Sequence, residues 1–452
     1  MHRNRILGGF GRFAMAFLAS ALLGACASYG VVKNVPVPAT SDKPQYTLKT
    51  YAALSANSDI SFILNFSGGG TRAAAMAYGV LQELRDTPIN INGQQKRMLD
   101  EVDQISSVSG GSFTAAYYGL NGDGIFDTFE EAFLRRNVQD HMKWSLLTPT
   151  NWFGSKGRTQ RAIEYYQEIL FHDATFADML HPGRPLIVIN ASDLASGVRF
   201  SFLQGYFDLL CSDLLTFPVA NAVAASSAVP VLFNPVVLEN YPDCPGHELV
   251  IPPAVLEQAK TDPELAMLFD GVKTYSDKEN SRYVFLVDGG ITDNLGLRAM
   301  SDVITVSGGP GALLNKVQKK PPSTVVFISV NASTEQVSEL GKTNKQPSIL
   351  QAVNSTSDVQ LHRYNAATVA LLQNQLASWA AAISTPEQPV TPYFIQVTFE
   401  AVQQQQLKLF LNKIPTSFNL TDEQVDTLID SARTLLRENP DFQKLISEIN
   451  TP

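Results

Sequence analysis

Ile60-Ser61-Phe62-Ile63-Leu64-Asn65-Phe66-Ser67-Gly68-Gly69-Gly70-Thr71-Arg72 is the stretch from which the fold can be read. Its first seven residues are rich in β-branched and aromatic side chains, as a strand is, and Ser67 to Gly70 break the run. From Thr71 to Arg85 the apolar residues Ala73, Ala77, Val80, Leu81 and Leu84 recur at helical spacing. Strand, glycine turn and helix follow one another. A second such unit comes next, with Gln104 to Val108 as strand, Ser109-Gly110-Gly111 as turn and Phe113 to Leu120 as helix.

Further along, Pro185 to Asn190, Val284 to Val287 and Thr324 to Val330 are apolar, largely β-branched runs of the kind a sheet buries on both faces. Tyr393 to Phe399 reads as one more strand and Ile349 to Gln373 as a helix. The tail from about Ala401 is helical in pattern, and Thr421-Asp422-Glu423-Gln424 offers a capping box before Val425 and Leu428. Strands alternating with helices imply a three-layer α/β/α fold around a mainly parallel central sheet.

The N-terminus reads differently. Arg3, Arg5 and Arg12 precede an uncharged run from Phe13 to Ala25, which is an export signal and too short to span a bilayer as a helix. Leu23-Gly24-Ala25-Cys26 resembles the lipobox of bacterial lipoproteins, which implies that Cys26 is the first mature residue and carries a lipid. Ala27 after it, in place of Asp, implies the outer membrane of the cell envelope. Pro36, Pro38 and Pro44 among small and polar residues read as a tether. The expected division is therefore a signal peptide over 1–25, a lipid-anchored linker over 26–58, the α/β body over 59–400 and a helical C-terminal segment over 401–452.

Composition narrows the function classes. The 452 residues are 44% hydrophobic and 17% charged, enough apolar chain for a large core and unlike a disordered or fibrous protein. The net charge is −9, and −12 once Arg3, Arg5 and Arg12 are removed, which argues against nucleic acid as a partner and against anchoring by a basic surface. Cys211 and Cys244 lie in a compartment that permits a disulfide, and they are either paired or small core residues. No pair of histidines has metal-ligand spacing, and Asn121-Gly122-Asp123-Gly124 lacks the later ligands of a calcium loop. The sequence calls for no metal and no cofactor.

Three turns carry chemistry. Ser107-Val108-Ser109-Gly110-Gly111 puts a serine between a strand and a helix, where a strained turn exposes Oγ and the helix N-terminus favours negative charge. Gly68, Gly69 and Gly70 can bring backbone N–H groups close to an oxyanion, and Arg72 can support that loop. Leu286-Val287-Asp288-Gly289-Gly290 ends a strand in a carboxylate. The same glycines also match the dinucleotide pattern Gly68-x-Gly70-x-x-Ala73, which keeps a nucleotide-binding module as an alternative beside a non-enzymatic envelope lipoprotein. His362, the only histidine after Asp288, keeps a serine–aspartate–histidine order open.

Gly68-Gly69-Gly70-Thr71-Arg72, the Ser109 turn and Asp288-Gly289 occur in the order seen in patatin-like phospholipases, and Ala225-Ser226-Ser227-Ala228-Val229-Pro230 resembles that family's small-residue segment. The chain departs from the pattern at Ser67, where the family often has Asp, and at Ser107, where it has Gly. The resemblance implies a serine acyl hydrolase acting on phospholipid or lysophospholipid. Ser109 would be its nucleophile, Asp288 its base and Gly68 to Gly70 its oxyanion hole. Phe126, Phe129, Phe133, Leu134, Val138 and Met142 recur at helical spacing, with Trp144, Trp152 and Phe153 after them. Residues 126–153 are thus either core or a lipid-facing lid or acyl-chain groove.

Overall fold

The computed structural model describes residues 31–37, 44–55, 59–91, 93–140, 157–230, 232–242, 251–335, 344–347 and 349–450, without the side chains of 349–358. Eight strands form the central sheet: β1 (Ile60–Phe66), β2 (Gln104–Val108), β3 (Leu186–Asp193), β4 (Arg199–Ser201), β5 (Val236–Glu239), β6 (Tyr283–Asp288), β7 (Thr324–Asn331) and β8 (Thr391–Thr398). Their order is β8-β7-β1-β2-β3-β6-β5, with β4 pairing β3 off that path. The strands from β8 to β3 are parallel, while β4, β5 and β6 pair antiparallel.

Alternation along β1 divides the core. Phe62, Leu64 and Phe66 pack on one face beneath α2 (Gly70–Asp86) and α3 (Gly110–Asn121), which are almost wholly buried. Ile63 faces the other side with Phe327, Leu297, Met300, Leu372 and Leu376. That second face is covered by α5 (Arg298–Val306), α6 (Pro310–Val317) and α7 (Ile349–Ile383); α1 is Leu48–Leu54 and α4 is Val219–Ser226. Among the described residues, no helix is long and apolar enough to cross a membrane.

The expected linker over 26–58 is not a free tether where it is described. Val31 bridges to Val237, and the Asn34 side chain binds Ser212 Oγ at 2.6 Å and both backbone ends of the Glu239 region. Tyr46 is fully buried and its hydroxyl donates to Ile187 O at 2.9 Å. The pattern of prolines and polar residues concealed a few large side chains that find partners only on the folded sheet. Cys26 and Cys244 lie outside the described residues. Cys211 is disulfide-bonded.

The C-terminal segment is part of the same body. Its helices are α8 (Gln405–Lys413), α9 (Asp422–Arg437) and α10 (Pro440–Ile449). The capping box at Thr421 forms, with Gln424 N donating to Thr421 Oγ1 at 3.3 Å and Thr421 N to Gln424 Oε1 at 3.0 Å. Helix α9 lies along α2, and Arg433 and Arg437 both pair with the buried Glu83 of α2. The described part of the aromatic stripe over 126–153 is core: Phe129, Phe133, Leu134 and Val138 have no exposure, and Phe133 stacks on Phe113 at 4.3 Å. Met142, Trp144, Trp152 and Phe153 lie outside the described residues.

Gly79 of α2 marks where α9 comes closest, because a Cβ there would stand 2.5 Å from the Ile429 carbonyl oxygen. Gly79→Val must push the two helices apart, and overpacking of this kind costs roughly 1–3 kcal/mol. Chemical denaturation should show that loss, and a variant as stable as the parent would mean that α9 is held elsewhere.

Candidate active site

Ser109 sits where β2 hands over to α3, at φ 48° and ψ −119°, a left-handed conformation that a residue with a Cβ holds only under constraint. Glycines supply the constraint. A Cβ on Gly110 would stand 2.0 Å from Gly70 O, and one on Gly111 2.7 Å from Phe66 Cβ, so the two strand-to-helix turns press backbone against backbone. Ser107, the departure from glycine two residues earlier, is accommodated because its hydroxyl donates to Val188 O at 3.3 Å.

Ser109 Oγ donates to Asp288 Oδ2 at 2.8 Å, and Asp288 Oδ1 accepts the Gly290 N–H at 2.8 Å. The route by which Asp288 arrives differs from the expectation. Strand β6 runs antiparallel to β3, pairing Asp288 with Ala191, one residue past the Asn190 that pairs with Val108. The carboxylate therefore descends to the site from beyond the carboxyl end of β3. Burial pushes its pKa up from 3.8 to about 6, against the lowering effect of the Gly290 and Ser109 hydrogen bonds.

The segment from Ser226 to Ala228 joins the two residues. Ser226 Oγ accepts the Ser109 N–H at 2.8 Å and donates to Asn190 O at 2.6 Å, so Ser112, 3.0 Å away, must be the donor in its contact with Ser226. Asp288 N donates to Ala228 O and Gly289 N to Ser226 O, each at 3.0 Å. Sequence reasoning marked this segment without assigning Ser226 a role, since nothing local tells which of its two buried serines meets Ser109. Asn294 was also missed. Its carbonyl accepts the Gly68 N–H at 3.0 Å, tying the glycine loop to the turn after Asp288.

That bond corrects the expected oxyanion set, because the Gly68 N–H already has an acceptor. The Gly69 and Gly70 amides, at the start of α2 with φ 141° and 61°, have none among the described residues. Arg72 is buried behind them: Nε donates to Ala332 O at 2.8 Å, Nη1 to Ile414 O at 2.6 Å and Nη2 to Thr416 Oγ1 at 3.0 Å. Ser67, in place of the usual Asp, accepts the Ala332 N–H at 2.9 Å and donates to Gly68 O at 3.1 Å.

The dinucleotide alternative does not fit this loop. Thr71 N, which a pyrophosphate would need, donates to Ser417 O at 2.9 Å, and a Cβ on Gly70 would stand 2.6 Å from that same oxygen. His362 lies on α7, and the partner of Ser109 Oγ is Asp288. Among the described residues no group of three or more His, Cys, Asp or Glu is placed to hold a metal.

A family model described as patatin-like phospholipase matches residues 64–300. No curated protein matches the chain. Among solved structures, human GIVD cytosolic phospholipase A2 aligns with 12% identity and a TM-score of 0.44 over 86% of this chain and 60% of its own. The same enzyme in complex with methyl gamma-linolenyl fluorophosphonate aligns with 13% identity and a TM-score of 0.41, over 93% and 69%.

Because Asp288 carries a raised pKa, its charge costs folding energy above the unfolded value and nothing below it. The movement from 3.8 to about 6 corresponds to about 3 kcal/mol, a penalty that sets in as pH rises from about 4 to 6. Asp288→Asn removes the charge, its one amide oxygen keeping the Gly290 N–H while its NH2 donates to Ser109 Oγ, as a protonated carboxyl would. Denaturation should find it more stable than the parent by up to that amount at pH 7 and equal to it near pH 4. Equal stability at both pH values would mean that the carboxylate is not desolvated.

Proposed function

The chain belongs to the patatin-like phospholipase family, a family of lipid-hydrolysing enzymes, and we propose that it cleaves carboxylic esters of phospholipid or lysophospholipid with Ser109 and Asp288 as a dyad. The observation that carries this reading is the 2.8 Å hydrogen bond from Ser109 Oγ to Asp288 Oδ2, made by a serine held at φ 48°.

In the first step Asp288 takes the Ser109 proton while Oγ attacks the acyl carbonyl carbon. Negative charge collects on the carbonyl oxygen, and the Gly69 and Gly70 amides hold it, a kind of contact worth about 3–4 kcal/mol per donor. The proton passes to the leaving alcohol as the ester bond breaks, which leaves an acyl ester on Ser109. Water then repeats the sequence in reverse, giving its proton to Asp288 and releasing the fatty acid. Burial suits Asp288 to this role, since a carboxylate with a pKa near 6 is a stronger base than one near 4 and is still ionised at neutral pH.

On the same reading a lipid on Cys26 holds the protein in the cell envelope, at the outer membrane. Residues 26–30 precede the Val31 contact with the body, a reach of at most about 17 Å. Such a short lead would keep the body close to the bilayer that holds its substrate.

Fatty-acid release from mixed phospholipid micelles tests the reading, comparing the parent with Ser109→Ala, Asp288→Asn and His362→Ala. The first two should lose about 10⁴-fold or more and the third should keep its activity. The parent's kcat/KM should fall tenfold per pH unit below about pH 6, as Asp288 takes up a proton. Loss in all three variants would point to a triad, and no activity in any form to a non-enzymatic lipoprotein.

A further inference from the structure

A cavity of about 210 Å³ lies at the opposite edge of the sheet from Ser109. It is built from the first residues of the strands, among them Ile60 of β1, Gln104 of β2 and Leu186 of β3. Five residues of strand separate Gln104 from Ser109, about 17 Å, so the cavity is no part of the acyl-transfer site. Ile63, Leu313, Leu376, Trp379, Ala380 and Ile383 make its body apolar.

Its polar lining combines Ser55, Ser61 and Gln104 with three charged residues. Lys319 and Lys320 stand there with Asp103, whose Oδ2 accepts the Phe62 N–H at 2.8 Å. Lys319 Nζ donates to Ser55 Oγ at 3.1 Å, and its charge acts on Asp103. Two ammonium groups against one carboxylate leave the lining with an excess positive charge when Asp103 is ionised. Beyond the lining, Asp59 holds the Ser323 N–H at 3.1 Å.

We propose that this cavity binds a single-chain amphiphile with an anionic head, its chain lying between the sheet and α7 and its head against Lys319 and Lys320. A fatty-acid carboxylate and an alkyl phosphate share that chemistry. The site does not depend on Ser109 being a nucleophile, and its test reads binding rather than turnover.

Dodecanoate, dodecyl phosphate, dodecanol and dodecyltrimethylammonium, each below its micelle threshold, would be titrated calorimetrically into the purified chain. Both anions should bind at least about tenfold more tightly than the cation. Ala380→Phe and Ala52→Phe fill the cavity from α7 and α1, and each should weaken anion binding by about tenfold or more while thermal melts confirm folding. Lys319→Met with Lys320→Met should weaken the anions to a similar extent and leave dodecanol unchanged. Tighter dodecanoate than dodecyl phosphate would identify a free fatty acid as the natural guest, and the reverse a phosphate-headed lipid. Either supports the site. Anion binding that survives both fillings, binding of the cation as tight as that of the anions, or no binding to the parent would overturn it.

Discussion

The hydrogen bond between Ser109 and Asp288 requires three stretches of backbone to meet where side chains would keep them apart. Ser109 must hold a left-handed conformation, Gly110 must lie against Gly70, and Gly289 must pass within 2.3 Å, measured from an added Cβ, of the Asn190 carbonyl oxygen. Each is a position where only hydrogen fits, or where a serine is held because its surroundings are already fixed. Ser226 completes the arrangement by giving the strained Ser109 amide an acceptor inside the core. The strain and the partner that tolerates it come from segments more than one hundred residues apart.

The same constraint explains the role of the rest of the chain. The glycine loop is fixed from both sides, by Asn294 on the Asp288 turn and by Arg72 reaching to Ala332, Ile414 and Thr416. A buried guanidinium bonded to backbone carbonyls ties the turn after β7 to the C-terminal segment, so that segment belongs to the site's support as well as to the core. Below Asp288, the turn continues to Asp293, which accepts the Arg298 N–H at 2.7 Å, and Arg199 grips Asp302 with two nitrogens at 2.7 and 2.9 Å. The Arg199 and Asp302 charges are matched across neighbouring elements, as a low-dielectric interior demands, whereas Asp293 Oδ1 has no hydrogen-bond partner among the described residues.

Much of this was legible in the chain itself. The strands β1, β2, β3, β6, β7 and β8, the helices after both glycine turns and the capping box at Thr421 all follow from periodicity and turn chemistry, which act over a few residues. The residues Ser109 and Asp288 could be named because each stands beside glycines at a strand end, and Arg72 because it follows the Gly68 to Gly70 turn. Where the pattern misled, distant partners were the cause. The segment before residue 59 looked like a linker because its few large residues, Tyr46 above all, are buried only against β3, and the stripe at Phe129 and Phe133 could not show whether it faced lipid or Phe113.

Sequence alone determined the class of layered fold, the three turns that carry chemistry and the residues within them, since local backbone preference and side-chain spacing are properties of short stretches. Tertiary structure decided the rest. It set β6 antiparallel so that Asp288 meets Ser109 from beyond the end of β3, and it took the Gly68 amide for Asn294 while leaving those of Gly69 and Gly70 without an acceptor among the described residues. It also raised the Asp288 pKa. Strand direction, hydrogen-bond competition and desolvation depend on which atoms surround a group in space, and only the packed chain supplies those neighbours.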